Sequence, residues 1–274
     1  MQRIALLPMK VDFIVDEGVS REDSYLIKDN IFGVFDGANS HNRFADSAGK
    51  TGGLIASQLV RDVFARNNRP LKELAIEANN KLREAMLAAN IDMGNKLNLW
   101  LSTASVVRLK EGRFEWLQIS DSPILLIYDD GSFRLAYDFY EHDQPILMKM
   151  KGFAMQKKEN VQEYVRAPLT KLRASVNIVF GDFSGEKGFI DFLHTGEEKL
   201  QKIRHMVIFS DGLQIPREEP SKEYDYATFV KIFLEGGLEK VKNHVRDMES
   251  NDPKCWKYPR YKIYDDITAI AISF

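Results

Sequence analysis

The sequence predicts an α+β fold in which antiparallel sheets are covered by amphipathic helices. Three observations carry this expectation. From Leu99 to Leu135 apolar residues recur with a period of two in short runs divided by turn dipeptides, as half-buried antiparallel strands require. Residues 44 to 92 shift to a period near 3.6, and so do residues 224 to 248, giving two helix pairs. Finally, Ser24 to Phe35 reads as a β-hairpin around Asp29-Asn30.

In chain order, Arg3 to Val15 alternate loosely and form a first strand candidate, ended by the acidic, glycine-containing DEGV. The hairpin follows, with strands Ser24–Lys28 and Ile31–Phe35. Glu22 and Asp23 precede its first strand and Asp36 follows its second, so antiparallel pairing brings the three carboxylates to the same end. A helix is expected over Phe44 to Arg66, with Ala48, Leu54, Ile55, Leu59, Val60 and Phe64 on one face and Asn67-Asn68 ending it. A second helix runs from Pro70 to about Asp92, its proline suited to the first turn. Then come four strand candidates, LSTASVVRLK, GRFEWLQIS, PILLIYDD and GSFRLA, with turns at Glu111-Gly112 and Asp130-Gly131 and Asp121 between the middle pair. They read as one antiparallel meander. Tyr137 to Ala174 is rich in lysine and arginine and holds a strand candidate near Val161 to Arg166. Its charge suits a phosphorylated partner, although a solvated face is the commoner cause of such a run. Asn177 to Gly181 is expected as a strand and Glu186 to Leu193 as a short helix. The strand Met206–Phe209 runs into Ser-Asp-Gly, helices follow over Tyr224–Leu234 and Leu238–Met248 about Gly236-Gly237, and Asp266 to Phe274 is the last strand.

The chain of 274 residues is 44% hydrophobic and 28% charged, enough to bury a large core, and no linker divides it, so one domain over residues 1–274 is expected. A net charge of -2 argues against a protein that holds nucleic acid by neutralising phosphates. No apolar run is long enough to span a bilayer. The single cysteine, Cys255, excludes an intrachain disulfide and has no acid–base partner nearby in sequence. With no signal segment at the N-terminus, a cytoplasmic, monomeric protein with no nucleic-acid or membrane partner is expected.

The chemistry lies in carboxylates at strand termini. IFGVFDG delivers Asp36 and Gly37 to the end of an apolar strand, MVIFSDG delivers Asp211 and Gly212, and YDDITAIAISF places Asp265 and Asp266 at the start of one. A single DG after a strand is more often an ordinary turn than a ligand. It is the set of three, with Glu22-Asp23, that points to a metal site. Hard oxygen donors without cysteine suit magnesium or manganese. Two such ions about 4 Å apart suit hydrolysis of a phosphate ester. Gly37, lacking a Cβ, lets backbone approach an ion and offer its carbonyl.

REDSYLI, IFGVFDGA, STASVV, ISDSP, FSDGL and YDDITAIAI, in this order from about Glu22 to Ile272, resemble the motifs of the metal-dependent type 2C (PPM-type) Ser/Thr protein phosphatases. GFIDFLHTG ahead of the SDG strand is closer to the family's bacterial members. The resemblance implies a four-layer αββα sandwich of two antiparallel sheets between helix pairs, with metals between the sheets at one end. It implies that Asp36 bridges two Mn²⁺ or Mg²⁺ ions and Gly37 offers its carbonyl, that Asp211 and Asp265 bind one ion, and that Glu22 or Asp23 binds the other. Asp121 matches the position of a third ion in some members, and Asp266 stands where the family usually has asparagine. The implied activity is removal of phosphate from phosphoserine and phosphothreonine in protein substrates. Two positions depart from the pattern. Ala38 replaces the histidine that many members carry after DG, leaving His41, three residues on, as the general acid. The phosphate-binding arginine expected upstream is missing, leaving Arg21. These departures keep two alternatives in view, a weakly active or inactive module that binds phosphoproteins and a small-molecule phosphomonoesterase.

Other motif-like stretches fall away. AGKTGG lacks the first glycine of a phosphate-binding loop, Ser184 lacks a nucleophile elbow, and Trp100, Trp116 and Trp256 lack the basic interleaving that single-stranded nucleic acid needs.

Overall fold

In the computed structural model, which describes residues 9–274, β-branched and aromatic runs pair into two five-stranded antiparallel sheets. In chain order the elements are β1 (Lys10–Asp16), β2 (Ser24–Lys28), β3 (Ile31–Phe35), β4 (Gly37–Ala38), α1 (Gly52–Phe64), α2 (Leu71–Ala88), β5 (Leu101–Ser102), β6 (Ala104–Lys110), β7 (Arg113–Ile119), β8 (Ile124–Tyr128) and β9 (Phe133–Leu135). Then follow α3 (Gln144–Met155), α4 (Val161–Tyr164), α5 (Arg166–Arg173), β10 (His194–Lys199), β11 (Ile203–Phe209), α6 (Tyr226–Ser250) and β12 (Ile267–Ser273). One sheet has the order β1-β12-β11-β8-β9 and the other β10-β7-β6-β3-β2, while β4 and β5 form a short separate pair.

Strand alternation sorts side chains into three apolar layers. Phe32, Val34, Val107, Met206, Ile208 and Ile270 meet between the sheets. Leu26, Ile31, Phe35, Val106 and Leu117 face the other way, against α1 and α2. On the opposite side of the molecule Val207, Phe209, Ala269 and Ala271 pack on α6. The arrangement is the expected αββα sandwich. Because both faces of β3, β11 and β12 are covered, these strands read as nearly unbroken apolar runs.

Several expectations hold. Ser24 pairs with Phe35 and Lys28 with Ile31, and Asp29 takes the left-handed conformation at the turn (φ 51°), so Glu22, Asp23 and Asp36 do share one end of the hairpin. The second helix pair is one helical stretch broken at Gly236-Gly237, where φ of 70° at Gly237 is open to glycine at little cost.

Others are corrected. The four strands from residue 101 onward are not one meander. β6 and β7 belong to one sheet and β8 and β9 to the other, since the chain crosses over at Ser120–Pro123, where Ser120 is left-handed (φ 68°) and proline offers no N–H to a ladder. The first helix begins at Gly52 rather than Phe44, because the Thr51 side chain caps it by accepting a hydrogen bond from the Leu54 N–H at 3.2 Å. Val161 to Arg166 is helical. It belongs to a lobe formed by α3, α4 and α5, in which Ile146, Leu147, Met150, Val161 and Val165 share a core with the buried Cys255. Asn177 to Gly181 is a turn with Asn177 left-handed (φ 55°), whereas the short helix expected over Glu186 to Leu193 is present as a 3-10 helix at residues 187–192. Of the first strand candidate, residues 3–8 lie outside the described residues, and the observed strand pairs with β12 from Lys10↔Ser273 to Asp16↔Ile267.

Ile270 is fully buried at the centre of the inter-sheet layer. Ile270→Ala is expected to lower stability by about 2–5 kcal/mol in urea denaturation, through lost burial and an incompletely filled cavity.

Candidate active site

At the ends of β3 and β11, one from each sheet, lies a cleft of about 350 Å³, within the range of small-ligand sites. Asp36 and Gly37 reach it from the end of β3, Asp211 from the end of β11 and Asp265 from the segment before β12. Glu22 and Asp121 enter from two of the segments that cross between the sheets, those from β1 to β2 and from β7 to β8. All six of these sequence-predicted residues line the one cleft.

The local scaffolding explains how so much negative charge is held. Asp36 is fixed through its backbone, since the Thr103 N–H donates to its carbonyl at 2.8 Å and its own N–H donates to Thr103 Oγ1 at 3.2 Å. Glu22 sits at the N-terminus of α1, where the helix dipole favours a carboxylate. Its side chain accepts from the Thr51 hydroxyl and from the Asn39 N–H, and Ser57 Oγ donates to its backbone carbonyl at 2.5 Å. Gly37 allows this packing, because a Cβ there would come within 2.3 Å of the Gly53 carbonyl oxygen. Gly212 is equally confined, with a Cβ falling 2.0 Å from the Asp266 carbonyl oxygen.

Asp266 does not enter the cleft. It is buried and accepts from three backbone N–H groups, those of Gly18 (2.8 Å) and Arg21 (3.0 Å) on Oδ1 and that of Glu22 (2.8 Å) on Oδ2. A carboxylate can receive all three, whereas the asparagine usual in the family would turn a donor toward some of them.

Electrostatically the site is under strain. Burial pushes Asp36 well above the usual carboxylate range, with further pressure from the charges of Asp23 and Asp211. Asp211 is likewise raised by burial and by Asp265 and Asp121. Burial raises Glu22 and lifts Asp23 to about 7. Asp23 does not line the cleft, and both its carboxylate oxygens are buried without a well-formed hydrogen bond, close to the hydroxyls of Ser210 and Thr268. Glu22 is therefore the member of the Glu22-Asp23 pair that the cleft presents.

The donor set is made of hard oxygens from carboxylates that repel one another, and its chemistry fits divalent magnesium or manganese. Among the described residues, no three His, Cys, Asp or Glu side chains stand together in a ready-made ligand cage. What stands at Asp265 is the ammonium of Lys262, 2.6 Å from Oδ1. Burial works against its charge, but Asp265, Asp36 and Asp211 outweigh this and hold Lys262 well above its ordinary value.

Two expected residues lie elsewhere. Arg21 is left-handed (φ 58°), its side chain is 71% exposed and pairs with Glu17 at 3.3 Å, and it does not line the cleft. His41 is exposed on the loop after β4, held by its backbone to Leu97, and also lies outside the lining. In their places the cleft shows groups that no strand-end motif announced. His142 stacks on Phe180 with ring centroids 4.0 Å apart. Arg173 donates through Nη2 to the carbonyls of Ala38, Asn39 and Leu99 at 2.8–3.0 Å, and burial lowers it to about 10. Asp182 is buried with Oδ1 unpartnered. His142 and Arg173 come from the segment least legible in sequence. Asp182 follows a glycine in GDF, a pattern similar to the DG sites but reversed.

The profile of the family described as protein phosphatase 2C matches residues 15–247. A search of curated proteins finds no significant match. Among solved structures, the serine/threonine phosphatase PstP/Ppp of Mycobacterium tuberculosis aligns over 98% of this chain and 99% of its own, with a TM-score of 0.60 at 15% identity. The catalytic domain of PstP in complex with two manganese ions aligns over 97% of each chain, at a TM-score of 0.59 and 14% identity. Stp1 of Staphylococcus aureus aligns over 100% of this chain and 98% of its own, at 0.61 and 13%.

Burial, joined by the charge of Asp121, raises Asp182 to about 7. A carboxyl raised in the folded state keeps its proton there while the unfolded chain ionises near pH ~4, so its contribution to stability declines as pH rises from about 4 to about 7. In chelator-treated protein, the stability of wild type relative to Asp182→Asn is expected to fall across that window by up to about 1.4 kcal/mol per pH unit. A difference independent of pH would remove the argument. Asp266→Ala, which orphans three backbone donors, is expected to cost about 2–4 kcal/mol in the same assay.

Proposed function

Because the chain belongs to the protein phosphatase 2C family of Ser/Thr phosphatases, we propose that it hydrolyses phosphoserine and phosphothreonine in protein substrates with the help of two Mn²⁺ or Mg²⁺ ions. The observation that carries this is the single cleft into which Asp36, Asp211, Asp265 and Glu22 project from four separate chain segments. Asp36, Asp211, Asp265 and Glu22, with the carbonyl of Gly37 as a neutral donor, are the residues that would hold the two ions, and Asp121 would serve a third. That PstP has been crystallised with two manganese ions supports manganese here.

Bound divalent ions supply the charge that lowers the pKa of an attacking water and neutralises the phosphoryl oxygens. The protein supplies the rest. Asp36 and Asp211 are both raised by burial among neighbouring carboxylates, so their ionisation is coupled to filling the site with positive charge. His142, which lines the cleft and stacks on Phe180, would hand a proton to the departing serine or threonine oxygen, in place of His41, which does not line the cleft. Arg173 pins the backbone at Ala38, Asn39 and Leu99 and so fixes the wall next to Gly37.

With manganese, the protein is expected to hydrolyse p-nitrophenyl phosphate and a phosphothreonine peptide, and to lose both activities with chelator. Asp36→Asn should lower kcat/KM by about 100-fold or more. Activity that survives both treatments would sink the two-metal proposal. His142→Ala should slow phosphopeptide turnover by about 100-fold while largely sparing p-nitrophenyl phosphate, whose leaving group needs no proton. Preference for sugar phosphates or nucleotides over phosphopeptides in parallel assays would reassign the substrate class.

A further inference from the structure

Lys262 lines the cleft, and the chemistry above leaves its ammonium without a task. It lies three residues before Asp265 on the segment between α6 and β12, and that segment is firmly built. Arg260 donates to the carbonyls of Ile263 (3.0 Å), Glu249 (3.0 Å) and Asp252 (2.7 Å) and pairs with the Asp252 carboxylate at 3.0 Å. That carboxylate in turn accepts from the N–H groups of Trp256, Lys257 and Tyr258 at 2.8–3.1 Å. The base of the Lys262 side chain is thus fixed, and its stem carries the ammonium into the cleft. There it donates to Asp265 Oδ1 at 2.6 Å. The same oxygen accepts the Asp266 N–H at 2.8 Å, so its two lone pairs are both engaged.

We propose that Lys262 is a tethered cation that competes with a divalent metal ion for Asp265. The inference rests on the metal-dependent mechanism proposed above. The two hydrogen bonds on Oδ1 leave Oδ2 to receive a metal, but an ammonium 2.6 Å from the same carboxylate repels a divalent ion bound there. Filling the position at Asp265 therefore favours the ammonium swinging away. Its flexible four-carbon stem allows this, because the side chain is 33% exposed and also borders a second cavity, on the side of Arg217 and Tyr224. Glu22 feels the charge of Lys262 but makes no hydrogen bond to it, so a metal position at Glu22 meets the ammonium less directly than one at Asp265. The chain is thus built with two unequal metal positions, and the weaker one is held by the protein's own positive charge until external metal is abundant.

The test is Mn²⁺ titration of the full chain by calorimetry, with electron paramagnetic resonance counting free ion, on wild type, Lys262→Met, Lys262→Gln, Lys262→Arg and Asp36→Asn. Lys262→Met and Lys262→Gln are expected to bind the weaker Mn²⁺ at least about 10-fold more tightly than wild type, whereas Lys262→Arg, which keeps the charge, stays near wild type. Thermal melting gives an independent readout. Without metal the two neutral variants melt below wild type, and added Mn²⁺ raises their melting temperature by more than it raises that of wild type. Identical stoichiometry and affinity in wild type and both neutral variants, with binding still lost in Asp36→Asn, would overturn the competition while leaving the metal site intact. No Mn²⁺ binding by any of the proteins would overturn the metal-dependent mechanism, and the competition with it.

Discussion

The carboxylate of Asp266 is the joint on which the site depends. By accepting three backbone N–H groups from Gly18, Arg21 and Glu22, it ties the segment that crosses from β1 to β2 onto the start of β12. That tie sets Glu22 at the N-terminus of α1 and leaves Asp265, the next residue back, facing the cleft. Arg246 holds the same corner from the other side, donating to the Asp265 carbonyl at 2.6 Å and pairing with Asp16 and Glu249. Positions far apart in sequence are thus locked by charge-assisted hydrogen bonds in a buried setting, where such bonds are strong.

The rigid frame allows the opposite of stability at its mouth. Asp36 and Asp211 line one cleft although burial and the charges of neighbouring carboxylates raise both, an arrangement that a chain free to relax would avoid. The backbone packing behind them, with Gly37 against Gly53 and Gly212 against Asp266, removes the room to relax. The unfavourable electrostatics of these carboxylates in isolation are what gives a multiply charged cation its advantage there.

Much of this was legible in the sequence because strands covered on both faces leave a plain signature, an apolar run closed by a charged residue. β3, β11 and β12 announced themselves in that way, and with them Asp36, Asp211 and Asp265. The hairpin turn at Asp29-Asn30 fixed the partner of β3 and so the position of Glu22. The crossing at Ser120–Pro123 was not legible, since a two-residue period is the same whether the next strand joins the same sheet or the facing one. The lobe from α3 to α5 was obscure for another reason. Its helices are short and share their core with Cys255, about 90 residues from the end of α4. His142 and Arg173 reach the cleft through that tertiary contact, and local pattern carries no trace of it. Arg21 and His41 were placed by proximity in sequence alone, and a left-handed residue and a solvated loop direct them away.

The crossing at Ser120–Pro123 also has a mechanical side. The cleft takes Asp36 from one sheet and Asp211 from the other, while two of the crossing segments, with Glu22 and Asp121, are stitched across the same end. A slight slide of one sheet over the other would alter the gap between Asp36 and Asp211 directly, without a hinge and without breaking a strand pairing. The apolar layer around Ile270 is therefore also the bearing surface that sets the spacing of the carboxylates.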